Sequence, residues 1–275
     1  MDLPFLEAVL QPATRADLPG WTATTAALGG GTWLYSEPQP HLRCLVDLAA
    51  LGWPALTVDD AGLHIAATCT IATLSRFVLP PEWRAGALIE RCCHALLGSF
   101  KVWNAATVGG NICLALPAGP MTALAAALGG SATIWCPDGR ERQVPVADLV
   151  VGDQLTSLAM GEILRSITLP LAGLRRRFAF RQMSLTPLGR SGVLLIGTRD
   201  PGGGFSLTIT AATTRPVRLE FSSIPPLATL HAMIDVAVGV PRLWFDDIHG
   251  TLAWRRHVTQ VFAHEIHSEL QEGAP

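Results

Sequence analysis

From Val102 to Pro137 the chain carries no charged side chain, and this uncharged run limits the possible folds more than any other feature. So apolar a segment is either a membrane span or the interior of a folded unit. Asn104, Asn111, Pro117, Pro120 and several glycines interrupt it, and in lipid they would leave backbone groups without partners, which a spanning helix cannot tolerate. No membrane span is therefore expected. The segment is read as a buried cofactor-binding region. Across the 275 residues 49% are apolar and only 15% charged, a low charge for a free monomer, so partners are expected to cover part of the surface. Twenty Lys and Arg against twenty-two Asp and Glu leave a net charge of -2. That balance lacks the basic excess a phosphate backbone demands, and nucleic acid is not expected as a ligand.

Cys44, Cys69, Cys92, Cys93, Cys113 and Cys136 show no CxxC spacing, so neither iron-sulfur nor zinc ligation is expected in this chain. The eight histidines lack the HExxH pattern; no metal site is expected. His94 falls within a helical pattern as a packing or surface residue, and His257, His264 and His267 are expected on a solvated helical face. The first residues do not form a basic-then-apolar leader, which points to the cytoplasm.

Residues 41–48 and 63–67 read as short buried strands, the second leading to Thr70 as a helix N-cap. Leu88, Cys92 and Leu96 recur every fourth position in a core-packed helix over 85–97. Pro120 suits the first turn of a helix running to about Leu128, ended by Gly129 and Gly130. A hairpin follows, with SATIWC and a strand through Val146 joined at Pro137-Asp138-Gly139. EILRSITLP reads as a strand ending at Pro170, and a domain boundary is placed near Gly173. Beyond it, 205–212 alternates as a half-buried strand, 215–221 is its hairpin partner, and Trp254, Val258, Val261, Phe262 and Ile266 form a helical stripe.

Two glycine-rich stretches carry the chemical signal: LGGGTWL (28–34) and TVGGNI (107–112). Adjacent glycines leave backbone N–H groups uncovered, so successive donors can converge on an anion, although a glycine cluster also marks an ordinary tight turn. Thr32, Thr107 and Asn111 could add side-chain donors. Neither stretch matches GxGxxG or GxxxxGK[ST], which argues against a Rossmann site or a P-loop.

Their order and surroundings resemble the FAD-binding medium subunit of molybdenum hydroxylases, the carbon monoxide dehydrogenase and xanthine dehydrogenase flavoprotein family. Five stretches carry the likeness over almost the full length: LGGGTWL; WNAATVGGNI with LALPAGPMTALAAAL; TSLAMGEILRSITLP; RRRFAFRQMSLTPLGRSGV; and AWRRHVTQVF. The resemblance implies an α+β chain: a two-subdomain FAD-binding fold of the PCMH/VAO type over 1–173, divided at about 56/57, and a smaller α+β C-terminal domain over 174–275. FAD would lie between the subdomains, walled by Gly29, Gly30, Gly31, Thr32, Trp33 and Leu34 on one side and by Thr107, Val108, Gly109, Gly110 and Asn111 on the other. Pro120, Leu164 and Arg181 occupy further cofactor positions, with Arg181 toward the electron-rich edge of a reduced flavin or, equally, in a surface ion pair. Trp33, Trp103, Leu114, Leu116 and Pro120 replace the polar or charged residues common in relatives, so backbone groups would carry most of the binding. No catalytic side chain is implied, because the flavin supplies the redox chemistry. Molybdenum cofactor and iron-sulfur clusters would reside on partners, a large and a small subunit. Two other readings stay open: a flavin-free assembly subunit of the same complex, and a free-standing flavoprotein.

Overall fold

The computed structural model describes residues 3–272. Three sheets follow one another along the chain. Strands β1 (Ala8–Leu10), β2 (Thr25–Leu28) and β3 (Cys44–Asp47) form a small parallel sheet with β3 central. Next come β4 (Leu56–Asp59) and β5 (Gly62–Ala66), then a helical block of α1 (Ile71–Ser75), α2 (Gly86–Ala95), α3 (Phe100–Ala105), α4 (Val108–Leu114) and α5 (Pro120–Ala127). The chain returns through β6 (Ser131–Trp135), β7 (Glu141–Pro145), a short α6 (Val146–Leu149), the ribbon β8 (Val150–Gly152) with β9 (Leu155–Thr156), and β10 (Ile163–Pro170). These strands make an antiparallel sheet in the order β4-β5-β10-β6-β7. After a short α7 (Leu171–Leu174) the meander β11 (Arg177–Met183), β12 (Val193–Arg199), β13 (Phe205–Thr210) and β14 (Val217–Phe221) is covered by α8 (Leu227–Val238) and α9 (Leu252–Glu272).

Local chemistry accounts for the element ends. The Thr70 hydroxyl accepts from Thr73 N at 3.1 Å and caps α1 as expected. Pro120 is the first residue of α5, where a missing N–H costs nothing, and Gly129, at φ 71, lets the chain leave that helix. All eight residues of α5 are buried, so the uncharged run does lie inside the protein. No helix among the described residues is long and apolar enough to cross a membrane.

Three expectations are corrected. The strand read over 205–212 ends at Thr210, and all six of its residues are buried, not half of them. Its apolar side chains Phe205, Leu207 and Ile209 join the core beneath α8 and α9, while Ser206, Thr208 and Thr210 face the side on which α5 packs. Covering both faces buries the hydroxyls too, and two of them find partners: Ser206 with Thr198 at 2.7 Å, Thr210 with Leu194 O at 3.2 Å. On α9 the buried positions include Val258, Phe262, Ile266 and Leu270, with Arg255, Thr259, Ala263 and His267 beside them. Val261 falls off this pair of four-residue rows and is exposed. His267 is likewise buried, with Nε2 2.7 Å from Pro225 O, whereas His257 and His264 do face solvent.

Between the first two sheets lies a tryptophan seam. Trp53 and Trp135 meet edge to face at 5.2 Å, and the Arg165 guanidinium stands 4.3 Å from the Trp53 ring. Cys69, Cys92 and Cys93 are buried in the helical block. Burial pushes the Cys69 and Cys93 thiols up to about 12, so they behave as small hydrophobes.

Candidate functional site

Both glycine stretches converge on Thr107. Its hydroxyl caps α4, accepting from Gly110 N at 3.0 Å. A Cβ placed on either Gly29 or Gly110 would stand 2.8 Å from that same oxygen. Gly30 is more tightly held, since a Cβ there would lie 1.7 Å from the Ala105 carbonyl oxygen. The first loop thus rests backbone to backbone on the turn that precedes the second. Gly31 takes φ +69, and a Cβ there would meet the Tyr35 ring at 2.5 Å.

Where the N–H groups go separates the two loops. In the second, Val108 donates to Cys69 O at 2.8 Å, Gly109 to Ala67 O at 2.9 Å and Asn111 to Thr107 O at 2.9 Å; Gly110 is taken by the threonine hydroxyl. In the first, the N–H groups of Gly30, Gly31, Thr32, Trp33 and Leu34 donate to no protein acceptor among the described residues. Successive uncovered N–H groups are the kind of donor set that can bind an anion. The expectation of two donating walls is therefore corrected. One wall donates, and the other supplies a hydroxyl and the open side of Gly110, because its own donors already fasten α4 to the segment after β5.

Between these walls lies a cleft of about 500 Å³, within the range of small-molecule sites. Gly29, Gly30, Gly31, Thr32, Trp33 and Leu34 line it, as do Thr107, Gly110, Asn111 and Pro120. Asn111 also spans α4 and α5: its Oδ1 accepts from Met121 N at 3.0 Å, satisfying an N–H that the start of α5 would leave bare. Val108 and Gly109 are buried behind the lining. Leu164 lies in β10 opposite Ile134, within the core. Arg181 sits in β11, with Nε 2.6 Å from Glu265 and Nη2 2.8 Å from Glu269, both on α9. These four do not line the cleft, and for Arg181 the ion pair is what the structure contains. Trp103 does not line it either; its Nε1 donates to Leu96 O at 3.2 Å.

The sequence reading passed over Cys113, Gly119, Arg190 and Ser191 among the lining residues. Apart from Arg190 the lining bears no charge. Ser191 is fixed by Gln182, whose Nε2 donates to its hydroxyl at 2.8 Å. The neighbouring Gly192 carbonyl accepts from the buried Arg255 at 2.6 Å, and the Ala211 carbonyl accepts from the same guanidinium. Arg190 stands beside a glycine in LGRSGV (188–193), a signal that only a three-dimensional neighbour could have made meaningful.

Residues 7–172 match the family described as the FAD binding domain in molybdopterin dehydrogenase. The chain belongs to that family. Among its curated relatives, xanthine dehydrogenase from Oryza sativa subsp. japonica is 31% identical over 121 residues, 42% of this chain and 9% of that protein. Xanthine dehydrogenase 2 of Arabidopsis thaliana is 28% identical over 122 residues, again 9% of its length. The chain thus spans a small fraction of these curated relatives. In fold it is similar to quinoline 2-oxidoreductase from Pseudomonas putida 86, with TM-score 0.79 and 19% identity over 100% of this chain and 99% of the other. Carbon monoxide dehydrogenase from Oligotropha carboxidovorans gives TM-score 0.80 and 18% identity over 98% of each chain. The α+β FAD-binding fold implied by the sequence is the fold observed.

Proposed function

We propose that the chain is the FAD-binding, electron-transferring subunit of a heteromeric molybdenum hydroxylase, receiving electrons from iron-sulfur clusters and passing them to an external acceptor. The observation that carries this reading is the row of five N–H groups from Gly30 to Leu34 that have no protein acceptor among the described residues, in a loop that lines one cleft with Thr107 and Gly110 and with no carboxylate. The residues present fit FAD. A dianionic pyrophosphate would satisfy those donors, Thr107 and Asn111 would add a hydroxyl and an amide, and the apolar side chains of Leu114, Leu116 and Pro120 would exclude water along the cleft. When bound, FAD supplies the redox chemistry. The chain's own part is to bind, orient and shield it, and no side chain need act as acid, base or nucleophile.

The organisation that accompanies this reading is a flavin domain over 1–173, itself of two parts, and a C-terminal domain over 174–275. Partners would be a large subunit carrying the molybdenum cofactor and a small iron-sulfur subunit, in the cytoplasm. Exposed Phe100, Leu188 and Ile248 favour partner contact, being large apolar side chains left in solvent. A flavin-free assembly role is the second reading; the apolar residues at Leu114, Leu116 and Pro120, which offer no side-chain donors, favour it.

The test is co-expression with the neighbouring genes, size exclusion, and the visible spectrum of the complex. One complex holding one FAD per copy of this chain is expected. A complex without flavin would sink the electron-transfer role in favour of assembly, and a flavin-loaded monomer oxidising an organic substrate unaided would sink the heteromeric one.

A further inference from the structure

The fold withdraws Arg181 from the cleft and places another arginine there. Arg190 is the only charged residue in the lining among the described residues, and none of their ion pairs includes it. Asp153 is near enough to feel its charge: burial and the carboxylate of Asp247 push the Asp153 carboxyl up, and Arg190 counters them. The backbone after Arg190 is held on both sides, Gly192 N donating to Met183 O at 2.9 Å and Gly192 O accepting from Arg255. An immobilised backbone with an unpaired cation at the edge of an otherwise uncharged cleft is a placed charge.

Its position along the cleft follows from the hydrogen bonds around it. Gly192 O and Ala211 O share the Arg255 guanidinium, and Ala211 N donates to Pro117 O at 2.8 Å. Arg190 is thereby set beside the segment that follows α4, whereas the Thr107 cradle stands at the start of that seven-residue helix. Seven residues rise about 10 Å. A ligand whose pyrophosphate occupied the cradle would extend one of its two arms past Arg190, and of these only the isoalloxazine gains charge on reduction, the adenine staying neutral.

We propose that Arg190 recognises charge at the redox end of bound FAD, favouring the reduced, anionic isoalloxazine over the oxidised, neutral one. Two electrons and one proton enter the ring on reduction near neutral pH and nothing leaves, so one negative charge remains on it. A cation in a cleft without carboxylates lowers the energy of that charged form and barely affects the neutral one. The inference rests on the FAD reading above and deepens it.

The experiment uses the full chain reconstituted with FAD, first measuring uptake by the wild type. Midpoint potentials are then read by dithionite titration against a reference dye, for wild type, Arg190→Gln, Arg190→Lys and Arg181→Gln. Arg190→Gln should still bind FAD but lose roughly tenfold of its preference for the reduced form, equivalent to a potential about 30 mV lower. Arg190→Lys, which keeps the charge, should stay close to wild type, as should Arg181→Gln. ADP, which carries the pyrophosphate without the flavin ring, should bind wild type and Arg190→Gln equally. An unchanged potential in flavin-loaded Arg190→Gln would overturn the proposal, and so would a matching loss of ADP affinity, which would make Arg190 a phosphate clamp. Failure of the wild type to take up FAD would overturn the cofactor reading itself, and this proposal with it.

Discussion

Thr107 holds the cleft together through one oxygen: it caps α4, and it stands within 2.8 Å of the place a side chain would begin on either Gly29 or Gly110. Glycines in the two loops therefore answer to different constraints. At Gly110 the only neighbour is that hydroxyl, so valine would dislodge a cap worth roughly 1 kcal/mol and push methyl groups into the cleft. At Gly30 the neighbour is the Ala105 backbone, which cannot rotate aside. Gly110→Val should then weaken FAD binding about tenfold or more while the urea midpoint moves little. Gly30→Ala should lower stability by about 1–3 kcal/mol through overpacking. Flavin fluorescence and urea denaturation on both variants check this, and equal effects on both measurements would show that the loops do not divide the work in this way.

At the scale of elements, the second sheet is tied across its edge by Glu162, which precedes β10 and reaches Arg142 on β7. Its carboxylate lies 2.7 Å from Arg142 Nε, 2.6 Å from Nη2 and 2.8 Å from Ala159 N. Those bonds, led by the guanidinium, hold the Glu162 carboxyl down at about 2 rather than 4.5. A depressed folded-state value means the stabilisation is full above the ordinary value and fades as the pH falls toward 2. Glu162→Gln should cost about 2 kcal/mol at pH 7, and the gap to wild type should narrow steadily below pH 4.5 in urea titrations. Elements of this kind were legible where their cause was local: Thr70 and Pro120 start helices, and the Pro137-Asp138-Gly139 turn makes the β6–β7 hairpin. What could not be read was set by packing between distant segments. The second face of β13 is buried because α5 covers it, and Val108 and Gly109 lost their donors to the carbonyls of Cys69 and Ala67. The same holds for Arg181 and Arg190, nine positions apart, whose surroundings depend on where α9 lies: it pairs with the first and supplies the Arg255 that fixes the backbone beside the second.

For the molecule as a whole, the cleft draws its walls from three separate stretches: residues 27–39 beside the parallel sheet, 95–120 in the helical block, and 190–191 from the loop between the first two strands of the last sheet. A ligand touching all three favours their docked arrangement. FAD at a hundred times its dissociation constant should add about 2.7 kcal/mol to unfolding, seen as a higher Tm in calorimetry that scales with FAD concentration; an unmoved Tm would mean that FAD does not bind the folded chain. The third wall has its own schedule. The carbonyl that fixes residues 190–192 is held by Arg255, and Arg255 lies in α9, the final described helix. On a ribosome the glycine loops would emerge long before that arginine is made. The nascent chain would therefore present the cradle for the pyrophosphate first, and the wall at residues 190–191 would be fixed only once α9 is made.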